Sequence, residues 1–254
     1  LMFINNFDPV AFNILSLEIR WYSLSYIFGI ILGWSYCKRK LINDYKYQKL
    51  FDDYIFYLVL GIIIGGRIGY ILFYNLEYYF NNFTEIFKIW KGGMSFHGGL
   101  IGMILSIYLF GKKNNVNFFY LSDLVSIVAP IGLFLGRVSN FINTELYGRV
   151  TDFPFAFIYP LVDNNPRHPS QLYEAVFEGI VLFFILYLYF IKNKKKYLIG
   201  NLSAYFLIFY SIFRFLIEYL REPDLHIGLF FNYFSMGQIL CIPIFLAGIF
   251  ILLR

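Results

Sequence analysis

Seven stretches of mostly apolar residues recur along the chain, at about 21–37, 54–76, 92–111, 121–141, 170–191, 197–220 and 235–253, each interrupted only by isolated polar positions. A helix needs roughly 20 such residues to cross about 30 Å of hydrocarbon, so the pattern predicts seven transmembrane helices. The sustained two-residue alternation of a membrane barrel is missing. The expected fold class is therefore all-α, a polytopic integral membrane protein. No internal repeat and no long Pro- or Ser-rich linker divides the chain. We expect one transmembrane domain over residues 1–254, with a small extracytoplasmic segment around 143–169.

Composition explains why lipid has to be the solvent. Of 254 residues, 59% are hydrophobic and 15% charged, whereas soluble domains carry about a quarter charged residues. Disordered, collagen-like and disulfide-scaffold classes are excluded, and Cys37 and Cys241 stand too far apart, in apolar surroundings, to suggest a disulfide framework. The net charge of +5 does not point to nucleic acid, because the basic residues fall in short clusters between apolar windows. Lys38, Arg39 and Lys40, then Lys112 and Lys113, then Lys192, Lys194, Lys195 and Lys196 all fall on one side of a seven-span chain. Positive loops stay cytoplasmic. The N-terminus is thus expected outside and Arg254 in the cytoplasm, with Glu77, Glu85, Asp152, Asp163, Glu222 and Asp224 on the outer side. Asp8 and Glu18 precede the first window and the basic cluster follows it. That reverses a secretory signal's charge order, so the window reads as a retained span.

Glycines at four-residue spacing, Gly29 and Gly33, Gly61, Gly65 and Gly69, and Gly132 and Gly136, predict seams where helix backbones approach closely. Ionisable residues inside the windows carry more functional information. An ionised side chain at mid-bilayer costs at least about 2.5 to 3.5 kcal/mol, yet Arg67, His97, Arg137, Glu174, Glu178, Arg214, Glu218 and Arg221 all fall, with Asn140, at one outward level of the expected topology. Arg214, Glu218 and Arg221 form a stripe at i, i+4 and i+7, and Glu174 with Glu178 forms another. Arginine rather than lysine dominates this layer, and its fixed fork of donors suits bidentate phosphate recognition. Arg67, Arg137, Arg149, Arg214 and Arg221 are the candidates to hold a lipid phosphate, with Glu145 and Glu218 orienting the guanidinium groups. His97, in the glycine-rich run from Gly92 to Gly102, is the candidate proton acceptor. His168 and His226 have no partners at metal-ligand spacing, so neither a metal nor a cofactor is expected. A transporter would also bury charge, but it needs polar access from both faces, and the inner halves of most windows are nearly uncharged.

The segment from Gly136 through Arg137, Asn140, Asn143, Glu145 and Gly148 to Arg149 resembles the signature of the bacterial phosphatidylglycerol–prolipoprotein diacylglyceryl transferases. Further matches follow in order along nearly the whole chain. They are Trp21-Tyr22, the run from Gly65 to Tyr70, the run from Met94 to Gly102, the run from Arg167 to Glu174, the run from Arg214 to Asp224, and Met236-Gly237-Gln238. One departure is visible: the loop at 161–166 is shorter than in many members.

The resemblance implies a multi-pass enzyme of the bacterial cytoplasmic membrane whose active site faces the extracytoplasmic side. It would move the diacylglyceryl group of phosphatidylglycerol to the sulfhydryl of the lipobox cysteine in a prolipoprotein signal peptide. A thioether would form and glycerol 1-phosphate would leave. The substrate supplies the nucleophile, so neither cysteine of this chain is needed for attack. The family's important positions fall here on Tyr22, His97, Arg137, Asn140, Glu145, Gly148, Arg214, Glu218 and Arg221. Arg137 is implied to bind phosphatidylglycerol. His97, Tyr22, Arg137 and Arg214 are the expected catalytic residues. Asn140, Asn143, Glu145, Gly148, Arg149, Arg67, Glu218 and Arg221, with Arg137 again, are the expected substrate-binding ones. The general base stays open between His97, Tyr22 and none, because a site crowded with arginine already favours a thiolate. A phosphotransferase that cleaves the P–O bond is the nearest alternative chemistry.

Overall fold

The computed structural model of the protein describes residues 3–15, 17–42, 45–193, 198–223, 228, 230 and 233–254. Lys194, Lys195, Lys196, Asp224 and His226, used above in arguing orientation and metal binding, lie outside the described residues.

The chain opens with three short strands, β1 (Phe3–Ile4), β2 (Val10–Ile14) and β3 (Leu17–Arg20), and every apolar window then carries a helix. These are α1 (Trp21–Tyr36), α2 (Tyr45–Tyr74), a short α3 (Leu76–Asn81) that starts at the end of the second window, α4 (Phe96–Asn114) and α5 (Phe118–Ile142). After strands β4 (Phe157–Ile158) and β5 (Pro166–Arg167) come α6 (Ser170–Glu174), continued by π-helical turns at Ala175–Val181 into α7 (Leu182–Lys192), then α8 (Asn201–Ile217) and α9 (Met236–Leu253). Four helical runs, Tyr47–Tyr74, Phe118–Ile142, Ser170–Lys192 and Met236–Leu253, are long and apolar enough to cross a membrane by length and composition, and Asn201–Ile217 is apolar but shorter. The fold is that of a mainly helical integral membrane protein. The all-α expectation needs one amendment, since β1, β4 and β5 form a small sheet and β2 pairs antiparallel with β3. These strands are two to five residues long and lie outside the apolar windows, where so few residues leave no period to read.

Two compact units make up the chain, Leu1–Tyr36 with Asp123–Arg254, and Cys37–Ser122. In the smaller unit the glycine seam is used as expected. Gly61, Gly65 and Gly69 of α2 meet Gly98 and Gly102 of α4, and a Cβ on Gly65 would lie 2.8 Å from the Gly102 Cα, one on Gly69 2.7 Å from the Gly98 Cα. Only hydrogen at these positions permits the contact. In the larger unit the seam is looser, with a Cβ on Gly29 falling 3.2 Å from the Gly132 Cα, while one on Gly136 would meet nothing within 4 Å. Side chains cover the starts of α8 and α9. The buried Asp123 carboxylate accepts from the Gly200 and Ser203 amides at 2.6 and 2.7 Å, covering the orphan donors at the head of α8. Ser235 and Gln238 close a reciprocal capping box on α9.

Candidate active site

Three helices of the larger unit bring three arginines and three glutamates into one cluster. α5 contributes Arg137; α6 and its π-helical continuation contribute Glu174 and Glu178; α8 contributes Arg214, with Glu218 and Arg221 just beyond its last turn. Glu174 is the hub. Its Oε2 lies 2.9 Å from Arg137 Nε, and its Oε1 pairs with Arg214 Nη1 and, at 3.4 Å, with Arg221 Nη1. Glu178 Oε2 stands 3.4 Å from Arg137 Nη2. Glu218 Oε2 is 2.6 Å from Arg214 Nη2, and its Oε1 accepts from Ser235 Oγ at 3.0 Å. Gly237 belongs to this contact, since a Cβ there would fall 2.8 Å from Glu218 Oε1.

Burial makes the arrangement demanding. The side chains of Glu174 and Glu178 are 0% exposed, whereas those of Arg137, Arg214 and Arg221 keep 16%, 12% and 9%. Buried carboxylates of this kind persist only when paired. The arginine side chains are thus less completely enclosed than the two glutamates they meet. The π-helical turns fall where both glutamates project, and such turns concentrate at functional sites.

The loop after α5 is built against this cluster. Asn140 Nδ2 donates to Glu145 Oε2 at 2.9 Å and Asn143 Nδ2 to Glu145 Oε1 at 3.5 Å. Thr144 and Leu146, on either side of Glu145, take φ of +60° and +58°, a region that non-glycine residues rarely occupy and that concentrates at functional loops. Gln171 and Ser170 hold the turn by donating to the Glu145 and Leu146 carbonyls at 2.6 and 2.8 Å. Gly148 has no room for a side chain: a Cβ would lie 2.6 Å from the His168 Cβ and 2.7 Å from the Leu220 carbonyl oxygen. Arg149 runs its backbone N–H to Leu220 O and its Nε to Arg221 O, at 2.9 and 3.1 Å. Its charge is therefore tethered to the segment that carries Arg221.

Outside the cluster, Arg167 clasps the same loop. It pairs with Asp163 at 2.7 Å and Glu222 at 3.2 Å, donates to the Gly148 carbonyl at 3.1 Å and lies 5.0 Å from the Tyr147 ring centre. Hydrogen bonding to Arg167 holds the Asp163 carboxyl down at about 2. Burial lowers the His168 pKa below its ordinary value.

The remaining candidates are placed as follows. Tyr22, at the start of α1 in the larger unit, is 37% exposed, and its hydroxyl lies 3.1 Å from that of Tyr26. Arg67 and His97 belong to the smaller unit. His97 is exposed in the first turn of α4, which Ser95 caps by accepting from the Gly98 N–H at 3.3 Å. Arg67 is 5% exposed and spends its donors on the carbonyls of Glu85, Ile86, Gly92 and Gly93, at 2.6 to 3.0 Å. Among the described residues no three His, Cys, Asp or Glu side chains converge as a metal site would require.

Glu145, expected to orient a guanidinium group, is engaged by Asn140 and Asn143, because the turn at Thr144 and Leu146 aims it back at α5. The carboxylate that meets Arg137, Arg214 and Arg221 is Glu174, a buried charge of the sequence reading. Its i+4 spacing to Glu178 was visible in the sequence, but its three arginine partners come from two other helices.

A profile of the prolipoprotein diacylglyceryl transferases matches residues 9–254. Among individual relatives, the phosphatidylglycerol–prolipoprotein diacylglyceryl transferase of Rickettsia felis is 52% identical over 252 residues, covering 97% of this chain and 96% of its own. The proteins of the same name from Rickettsia typhi and Rickettsia bellii are each 50% identical, covering 100% and 98% of this chain and 98% and 95% of their own. On this family match over residues 9–254 and this near-full-length similarity, the chain belongs to the prolipoprotein diacylglyceryl transferase family.

Proposed function

We propose that the chain transfers the sn-1,2-diacylglyceryl group of phosphatidylglycerol to the lipobox cysteine of a prolipoprotein signal peptide, the first step of bacterial lipoprotein maturation. The observation that carries this reading is the set of guanidinium groups of Arg137, Arg214 and Arg221 gathered on the Glu174 carboxylate. In the reaction the thiol loses its proton and sulfur attacks the glycerol carbon bonded to the phosphate. The C–O bond breaks, and its electron pair leaves on glycerol 1-phosphate. Arg137 and Arg214, with Arg221 beside them, hold the phosphodiester and neutralise the charge that grows on the departing oxygen, the most effective place for fixed donors. Glu174 and Glu218 keep those donors aimed. Asn140, Asn143, Glu145, Gly148 and Arg149 shape the loop that accepts the glycerol headgroup.

The thiol needs modest help, since a free cysteine titrates near about 8.5 and nearby guanidinium groups lower that value. His97 is assigned the proton, with Tyr22 as the alternative acceptor. Arg67 is assigned to shaping its own loop, because its donors are already engaged by backbone carbonyls. We place the protein in the bacterial cytoplasmic membrane with seven spans, N-terminus outside, C-terminus inside, and the arginine cluster toward the extracytoplasmic leaflet. Support comes from the basic runs that close the first, third and fifth apolar windows.

Incubating the purified chain with phosphatidylglycerol and a lipobox peptide tests the proposal. The peptide should gain the mass of one diacylglyceryl group on its cysteine while glycerol phosphate is released. An unmodified peptide, or one that carries phosphate, overturns it. His97→Gln separates the base from the anion site: a loss in kcat with KM for the lipid unchanged supports His97 as acceptor, and normal turnover removes it.

A further inference from the structure

The cluster of Arg137, Arg214 and Arg221 with Glu174, Glu178 and Glu218 links three cationic groups to three carboxylates. With every group ionised it is neutral as it stands. A phosphodiester brings one more negative charge, and an arginine that turns to receive it weakens its hold on a buried carboxylate. That excess charge would sit in a dry environment, where an uncompensated anion is expensive.

The carboxylates are not equally held. Glu174 meets three guanidinium groups, and Glu218 has Arg214 at 2.6 Å and the Ser235 hydroxyl at 3.0 Å. Glu178 has Arg137 alone, at 3.4 Å, and its Oε1 has no hydrogen-bond partner among the described residues although the side chain is fully buried. The titratable and charged groups around it are Arg137 from α5, Glu174 from its own helix, Tyr210 and Arg214 from α8, and Cys241 from α9. Arg137 is the cation that faces it most directly, and Arg137 is also the residue assigned to the phosphate. A proton on Glu178 would restore neutrality and turn an unsatisfied acceptor into a hydroxyl donor.

We propose that phosphatidylglycerol binds this enzyme together with one proton, taken up from water by Glu178 as Arg137 turns from that carboxylate to the lipid phosphate. The inference rests on the reading of the cluster as a phospholipid site. It assigns Glu178 as a positioning residue whose protonation releases Arg137.

Titration calorimetry of the full-length protein in detergent with a short-chain phosphatidylglycerol, repeated in buffers of different ionisation enthalpy, counts the protons. The wild type should take up about one proton where free Glu178 is ionised, and its affinity should fall about tenfold per pH unit on the alkaline side. Glu178→Gln should bind with no uptake and with affinity independent of pH. No uptake by the wild type, or equal uptake by Glu178→Gln, overturns the proposal while leaving the lipid site intact. Failure of the wild type to bind the lipid overturns both. Should Glu178→Gln not fold, the infrared difference spectrum of the wild type on lipid binding decides: a new protonated-carboxyl band supports the proposal, and its absence overturns it.

Discussion

Arg67 and Arg137 are both arginines set into apolar helices, and their surroundings differ in kind. Arg67, in the smaller unit, is enclosed by neutral backbone carbonyls at 2.6 to 3.0 Å and by the Tyr79 ring, whose centre is 5.0 Å away. Gly92 and Gly93, at φ of +82° and +81°, bring the carbonyls round, and a Cβ on Gly93 would lie 2.8 Å from Arg67 Nη1. Such a group is a fixed strut: its donors are used on two neighbouring turns of chain, at 85–86 and 92–93. Arg137, in the larger unit, faces carboxylates, which a phosphate can replace in both charge and geometry. Burial of an arginine alone therefore does not tell its role, and the two differ in the chemistry of their acceptors.

The largest effect is expected at the hub. Glu174→Ala leaves three guanidinium groups without their shared carboxylate, and breaking a buried pair from one side costs about 3 to 5 kcal/mol. Both the melting temperature and turnover should collapse, and a variant that melts normally would refute the hub role. Next, lysine substitution separates the two arginines. Arg137→Lys should raise KM for phosphatidylglycerol or lower kcat by about 100-fold, with a modest change in melting. Arg67→Lys cannot serve four carbonyls at once, and losing charged hydrogen bonds worth about 1.5 to 3 kcal/mol each should show as a lower melting temperature with little change in KM. Equal KM effects from the two substitutions would erase the distinction.

A smaller effect belongs to the glycine seam under Arg67. Gly65→Ala should destabilise the smaller unit by about 1 to 3 kcal/mol through overpacking, whereas Gly136→Ala, facing open space, should change melting little. Thermal unfolding in detergent compares them.

The smallest effect lies at Asp163. Because Asp163 titrates at about 2 in the fold, below the ordinary aspartate value near about 3.9, the folded state binds fewer protons than the unfolded state between those values. Its contribution is present above about 4 and is lost as pH falls through the folded value. The melting difference between wild type and Asp163→Asn should persist from pH 7 to about 4 and close toward pH 2.

Much of this was legible before any coordinates. Each apolar window holds a helix, because the need to satisfy backbone groups in lipid leaves a long apolar run few alternatives. The Arg214, Glu218 and Arg221 stripe was readable because helical spacing is local. Glu174 was visible as a buried charge, but its role was hidden, since Arg137 and Arg214 reach it from 37 and 40 residues away. The fate of Arg67 was hidden for the converse reason: backbone carbonyls leave no trace in residue identity. The short strands escaped notice because two to five residues are too few to establish a period.

The order of residues by itself determined the lipid setting, the helices, the family motifs and the supply of arginine inside the apolar windows, since all of these follow from local composition and spacing. Tertiary structure alone decided which arginines face carboxylates and which face carbonyls, and that Glu174 rather than Glu145 gathers them. A buried charge takes its meaning from the partners around it, and packing brings those partners from distant parts of the chain.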